Sequence, residues 1–233
     1  MANLYNNNNE IKDKQNIYDS YNNFVTSEDR NVFFKLMTRH NIFNLVKDLH
    51  GDIVECGVFK GAGLLVWLKL IYMHQPHSIK KVIGFDFFDP DFVDDLVNVV
   101  DKQTMKQVFT RDAALKNNDV SIEAITNKIT SSGFDSSKFE LVKGDITQTS
   151  INYISTRPGM RISLLYLDLD LDKPTYDTLE ALWDRVVPGG CVVFDEHAYH
   201  SWSESNAVDR FIKNKNITLI NTHMQSPTAY FIK

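Results

Sequence analysis

Two pairs of carboxylates stand twenty-seven positions apart in this chain, Asp168 with Asp170 and Asp195 with Glu196. The first pair closes Leu164-Leu165-Tyr166-Leu167-Asp168-Leu169-Asp170, and the second follows Cys191-Val192-Val193-Phe194. Each apolar run has the length and composition of a buried strand. In an open α/β sheet, acids that follow such strands emerge at the carboxyl edge, where these folds bind ligands. Carboxylates crowded there repel one another unless a cation joins them, and oxygen-only ligands select a hard divalent ion. The chemistry this pattern could do is that of a metal-assisted enzyme.

A second constellation begins at Glu55, which precedes a G-x-x-x-G-x-G turn made by Gly57, Gly61 and Gly63. Gly57 lets the chain turn sharply off a strand, and Gly61 and Gly63 let the next helix approach a ligand closely. The spacing is not the dinucleotide G-x-G-x-x-G, and the acid stands before the glycines. An acid there suits a positively charged ligand, such as the amino-acid portion and sulfonium of S-adenosylmethionine, and disfavours a pyrophosphate. Gly84-Phe85-Asp86-Phe87-Phe88 sets Asp86 where it could hold a ribose diol. Val142-Lys143-Gly144-Asp145-Ile146 sets Asp145 near an adenine amino group. Three strand-end acids in succession are more specific than any one, since Asp86 or Asp145 alone also suits a helix cap or turn.

The elements that position these residues alternate. Asp52–Cys56, Lys81–Phe85, Phe139–Val142, Ile162–Leu167 and Cys191–Phe194 read as strands, and Ala62–Met73, Thr175–Val187 and Ala207–Lys213 as helices. Ile217–Asn221 and Ala229–Ile232, joined by a turn around Ser226-Pro227, read as closing strands that must be antiparallel. This predicts an α/β, Rossmann-like, doubly wound and mostly parallel seven-stranded sheet with an antiparallel C-terminal hairpin strand. Residues 1–50 read as a polar tail to about Asp13 followed by one or two leader helices over Tyr18–Leu49, and 51–233 as the main domain. The stretch from Asp89 to Asp135 far exceeds the dozen or so residues of a compact crossover. Gln103–Leu115 and Ser121–Ser131 read as helices within it, either a substrate lid or an insertion that enlarges the domain or makes a dimer contact.

Composition narrows the classes. At 233 residues, with 43% hydrophobic and 24% charged residues, the chain suits one soluble domain. A net charge of −5 argues against a broad grip on nucleic acid or an anionic membrane. Leu64–Met73 is the longest apolar stretch, too short to span a bilayer, and no export signal is apparent, so a cytoplasmic address is expected. Cys56 and Cys191 fall inside predicted strands and read as buried free thiols. The apolar leader helices point to a homo-oligomer.

These residues resemble the class I S-adenosylmethionine-dependent methyltransferases, and more narrowly the macrocin O-methyltransferase (TylF-like) family. Glu55-Cys56-Gly57-Val58-Phe59-Lys60-Gly61 matches its first motif, and Gly84-Phe85-Asp86-Phe87-Phe88 its second strand, with Asp-Phe-Phe in place of the usual Asp-Ser-Phe. Leu167-Asp168-Leu169-Asp170 and the following Pro174–Glu180, then Pro188-Gly189-Gly190 through Asp195-Glu196 and Ala207-Val208-Asp209, match the remainder. Glu196 stands where the family commonly has a second Asp, and neither the leader nor the insertion matches anything.

The resemblance implies a cofactor site of Glu55, Gly57, Lys60, Gly61, Asp86, Phe87, Asp145, Ile146 and Asp168. It implies that Asp168, Asp195 and Glu196 bind Mg²⁺, with Mn²⁺ as a substitute, and that the hydroxyls of a sugar or nucleotide-sugar acceptor complete the shell. Coordination would lower the hydroxyl's pKa and align its oxygen with the sulfonium methyl. Asp170 would take the proton, and direct displacement needs no covalent enzyme intermediate. Alternatives stay open at several positions. Asp170 also suits a cap or a carboxylate that orients a metal water, Glu196 an exposed neighbour of the true ligand, and Lys60 a solvated side chain. His197 or His200 could serve as base or acceptor contact. Trp202 could stack on a sugar or pin its loop, and Arg210 and Lys213 could hold a phosphate or face solvent. Trp67 and Trp183 read as core. Competing functions are a catechol-type methyltransferase, an NAD(P)-dependent oxidoreductase and a non-catalytic cofactor-binding protein.

Overall fold

The computed structural model describes residues 8–96, 99–111 and 119–233. The strands are β1 (Asp52–Cys56), β2 (Val82–Asp86), β3 (Phe139–Lys143), β4 (Ile162–Leu167), β5 (Val186–Phe194), β6 (Ile220–Asn221) and β7 (Ala229–Ile232). The helices are α1 (Asn8–Thr26), α2 (Asn31–Val46), α3 (Ala62–His74), α4 (Val99–Arg111), α5 (Ile122–Ser131), α6 (Ile146–Ser155), α7 (Asp172–Leu182) and α8 (Glu204–Ile212). The strands form one seven-stranded sheet in the order β3-β2-β1-β4-β5-β7-β6. The first five strands are parallel, and β7 runs antiparallel to both β5 and β6.

Continuous apolar strands follow from cover on both faces. Every residue of β4 is buried. Ile42, Phe43, Trp67, Leu68, Ile125 and Ile129 pack one face through α2, α3 and α5, while Leu165, Leu179, Leu182, Val208, Phe211 and Phe231 pack the other through α7 and α8. Cys56 and Cys191 are free and buried, and Trp67 is fully enclosed. Among the described residues no helix is long and apolar enough to cross a membrane.

Strand order reverses between β1 and β4, which opens a crevice at their carboxyl ends. The register fills it. Cys56 pairs with Leu167, and Leu167 with Phe194, so Gly57, Asp168 and Asp195 leave three neighbouring strands side by side. The Asp168 N–H donates to Cys56 O at 2.8 Å, and the Asp195 N–H to Leu167 O at 2.9 Å. Gly57 is required there: its φ is +88°, and a Cβ would lie 1.9 Å from the Asp168 carbonyl oxygen.

Several boundaries differ from the sequence reading. Val187-Pro188-Gly189-Gly190 belongs to β5 rather than to the preceding helix. A 3₁₀ turn at Trp183–Arg185 ends that helix, since Pro188 lacks the N–H a helix needs and Gly189 takes φ +80°. The final hairpin keeps only Ile220–Asn221 of its first strand. In the leader, α1 already begins at Asn8, inside the stretch read as tail. The insertion opens with a 3₁₀ turn, Pro90–Asp95, capped by Asp89. Its first helix starts at Val99 rather than Gln103, and the expected end at Leu115 lies outside the described residues. Along α1, Ile17, Tyr18, Tyr21 and Val25 are exposed, so these four join no core among the described residues.

Gly133 also has positive φ, +90°, but a Cβ there meets nothing within 4 Å. Gly133→Ala should therefore cost only left-handed strain, about 1 kcal/mol. Gly57→Ala should lose on the order of 3 kcal/mol, because the strand ends must part. Urea unfolding of both variants checks this; equal losses would remove the packing requirement at Gly57.

Candidate active site

The crevice is a cavity of about 650 Å³, a size that suits a small-molecule site. Its floor is the turn after β1, with Glu55, Gly57, Phe59, Lys60 and Gly63 among its lining residues. Asp168, Asp170, Asp195 and Glu196 line one side, and Asp86, Phe87, Gly144 and Ile146 the other. Phe24, Val32, Lys35 and Leu36 of the leader, with Phe92, Met105 and Val120 of the insertion, close over it.

Asp168, Asp195 and Glu196 converge as the sequence anticipates: each offers a carboxylate oxygen within 4.8 Å of the others. Asp195 is the most enclosed, at 1% exposure, and the most heavily bonded. Tyr166 Oη donates to its Oδ1, while Lys35 Nζ at 2.8 Å and Ser226 Oγ at 2.5 Å donate to its Oδ2. Lys35 Nζ also donates to Asp168 Oδ2 at 3.2 Å. A cation thus already bridges two of the three acids. The donor set, carboxylate oxygens that need positive charge, fits a hard dication.

The electrostatics follow from that crowding. Desolvation and then Asp195 push the Asp168 carboxyl up to about 6. Desolvation, Asp195 and Asp168 push Glu196 to about 8. Burial would raise Asp195 too, but Lys35 and Arg39 more than offset it and hold it below the usual range. Asp170 takes a left-handed φ of +64°, and its carboxyl is raised well above the ordinary value by burial, Asp168 and Glu196. Behind the cluster lies Glu204, fully buried, which accepts the Glu196 N–H at 3.4 Å and is raised by burial and Asp170.

On the floor, Glu55 is buried and its Oε1 accepts from Arg39 Nη1 at 2.7 Å, while its Oε2 has no partner. A buried carboxylate oxygen without a donor, beside a glycine turn, fits the cationic amino-acid end of a methyl donor. Asp86 is largely spent on the turn itself. It accepts the N–H groups of Val58 and Phe59 at 2.7 and 3.1 Å and of Phe88 at 2.8 Å, leaving about one acceptor position of its four. Phe87 stacks on Phe92 with centroids 4.5 Å apart. Lys60 lies 4.0 Å from Asp119.

The structure places several of the expected residues away from the cavity or against other protein groups. Asp145 faces solvent and caps α6 by accepting the Thr147 N–H at 2.9 Å; Gly144 and Ile146 beside it line the cavity, and it does not. His197 turns away from the cavity and pairs with Asp209 at 3.2 Å, so it stands apart from the acids. Gly61 and Gly63 make room for protein rather than ligand: a Cβ would meet Ile125 at 3.0 Å and Glu55 Oε1 at 1.9 Å, respectively. Arg210 is held bidentately by Asp172 and covers the Tyr176 ring. Trp202 lines the cavity and packs with Val93, Met105 and Leu171.

Sequence reading missed Lys35 and Arg39, which reach two acid sites from one face of α2. The signal was available as two cations at i and i+4 in an otherwise apolar leader segment. Arg39 is buried, stacked on Tyr166 at 4.2 Å and Trp67 at 5.0 Å. Tyr166 was legible too, two positions before Asp168 on the same strand face.

The raised carboxyls carry a consequence for stability. A carboxyl whose pKa is higher folded than unfolded leaves the native state holding more protons, so stability falls as pH rises between the two values. For Asp168 that window runs from 3.8 to about 6, and for Glu196 from 4.5 to about 8. Urea midpoints of the metal-free protein should therefore drop from pH 5 to 7.5, and divalent cation should restore them. A flat or rising midpoint would contradict this electrostatic picture.

Comparison with known proteins gives three results. The family model described as macrocin-O-methyltransferase (TylF) matches residues 37–233. Among curated proteins, none matches in sequence. Among solved structures, the chain is similar to apo CalS11, a TDP-rhamnose 3′-O-methyltransferase of calicheamicin biosynthesis, with TM-score 0.65, 22% identity and coverage of 99% and 97% of the two chains. It is also similar to the O-methyltransferase NovP, with TM-score 0.67, 23% identity and coverage of 84% and 79%. An O-methyltransferase from Bacillus cereus in complex with SAH matches with TM-score 0.56, 10% identity and coverage of 99% and 93%. At these identities the structural likenesses establish the fold.

Proposed function

This chain belongs to the macrocin O-methyltransferase (TylF) family of S-adenosylmethionine-dependent O-methyltransferases, and we propose that it methylates a sugar hydroxyl with the help of a divalent cation. The observation that carries the reading is the convergence of Asp168, Asp170, Asp195 and Glu196 on one side of a cavity whose floor is the Glu55–Gly63 turn. An oxidoreductase reading does not survive family membership. Two forms of the sugar fit, nucleotide-linked or part of a larger product; the name of CalS11, a TDP-rhamnose methyltransferase, supports the sugar class, not the choice between them.

In this reading Glu55, through its free Oε2, would hold the ammonium of the methyl donor, the last acceptor position of Asp86 its ribose, and Phe87 and Ile146 its adenine. Asp168, Asp195 and Glu196 are the residues that would hold Mg²⁺ or Mn²⁺. Such an ion would stabilise the ionised carboxylates and lower the pKa of the acceptor hydroxyl. Asp170 would take the hydroxyl proton at its carboxylate, and the donor would supply a methyl group whose bond to the sulfonium breaks to leave a neutral thioether. The elevated proton affinity of Asp170, built by burial and acidic neighbours, suits it to take that proton. Arg39 fixes Glu55 from behind, so the acid presents one oxygen only. The leader and insertion side chains exclude water. The described residues of the 89–135 insertion act as the lid of a single domain. The aromatic wall of Phe59, Phe87, Phe92 and Trp202 favours one second reading, a small aromatic diol as acceptor.

A screen of nucleotide sugars, glycosides and catechols with labelled methyl donor decides the acceptor class; turnover of catechols alone would overturn the sugar assignment. With the acceptor in hand, Asp170→Asn should lower kcat about 10²–10⁴-fold while SAH affinity stays within a few-fold. Equal loss of both would remove the base role. EDTA should stop turnover and Mg²⁺ or Mn²⁺ restore it, whereas full activity in chelator would take the cation out of the reaction.

A further inference from the structure

In the front of α2, from Asn31 to Met37, every side chain is about a third exposed or more, Lys35 included at 33%, whereas Thr38, Arg39, Ile42, Phe43 and Val46 behind it are buried. Lys35 nevertheless ends between Asp195 Oδ2 at 2.8 Å and Asp168 Oδ2 at 3.2 Å. Val32 and Leu36, on the same turns, line the cavity. The front of the helix thus covers the acid cluster and is fastened through the acids themselves.

We propose that Lys35 is a tethered placeholder for the divalent cation, exchanged when the ion binds, so that loading the ion releases the first two turns of α2 from the cavity. The inference rests on the reading of Asp168, Asp195 and Glu196 as the ion's ligands. An ammonium and a dication on the same two carboxylates repel each other at a few ångströms. Lysine is the partner able to yield, because its charge sits on a flexible four-carbon stem. Arg39 is not: it is buried, paired with Glu55 and stacked on Tyr166 and Trp67. Release therefore stops at Met37, with the rear of α2 still anchored by Ile42, Phe43 and Val46. Before exchange the ammonium balances Asp168 and Asp195, which lets the strand ends assemble without the ion. After it, Val32 and Leu36 leave the mouth, and the acceptor enters a site already loaded.

The test titrates Mn²⁺ into the metal-stripped full chain and follows free Mn²⁺ by electron paramagnetic resonance. Lys35→Met, which removes the competing charge, should bind Mn²⁺ with a Kd at least tenfold lower than the unmutated chain, and Lys35→Arg, which keeps it, within threefold. Loss of structure would not tighten an ion's binding, and SAH binding verifies the fold of each variant. Hydrogen exchange supplies the second readout. Amides of residues 31–37 in the unmutated chain should exchange at least fivefold faster with Mn²⁺ than without it, and in Lys35→Met the ion should change nothing. Equal or weaker Mn²⁺ binding by Lys35→Met overturns the placeholder, as does unchanged or slower exchange in the unmutated chain, which decides the matter if the variant does not fold. Mn²⁺ binding by none of the chains would instead bring down the ion reading itself, and the placeholder with it.

Discussion

Like charges confined to one edge of a sheet are the constraint on which the rest of this molecule depends. Parallel register brings the ends of β1, β4 and β5 together, and Asp168, Asp170, Asp195 and Glu196 follow from it, with Glu204 buried behind. A buried carboxylate without a partner is costly, and several together are tolerated only with positive charge among them. The fold meets this with Lys35 and Arg39 from one face of α2, and with hydroxyl donors from Tyr166 and Ser226. What remains uncompensated is visible as Asp168, Asp170, Glu196 and Glu204 carboxyls held toward their protonated forms.

The leader gains a different meaning in this light. An N-terminal helix pair placed ahead of a complete α/β sheet would ordinarily be an appendage. Here α2 contributes two cations to the centre, one buried and the other a third exposed. Its rear half completes a core layer with Phe43 and Trp67, while its front half and Phe24 of α1 form the cavity mouth. Core packing and site cover are thus divided along one helix at Met37.

The sheet was legible because its strands are short apolar runs closed by glycine or acid, and period and punctuation agree there. Ile162–Leu167 and Ala229–Ile232 were read to the residue. The segment Val187-Pro188-Gly189-Gly190 misled, since proline and glycine mark a break equally well before a strand as within its first residues. At the site, spacing located the acids but not their partners. Asp86 and Asp145 occupy equivalent strand ends, yet one ties down the glycine turn and the other caps a helix. Which role wins depends on where neighbouring N–H groups point, information that a one-dimensional pattern does not hold. His197 shows the same limit: its pairing with Asp209 depends on how the loop after β5 meets α8. Lys35 lies more than a hundred residues from the carboxylates it bridges, and only the folded register joins them.

The central claim is that three of these acids share one ion. Anomalous diffraction from crystals grown with Mn²⁺ tests it most directly. The account predicts a single strong peak with oxygens of Asp168, Asp195 and Glu196 each at about 2.0–2.3 Å, the range of a hard dication. A well-ordered cluster with no peak among those carboxylates, or a peak held by other residues, would contradict it.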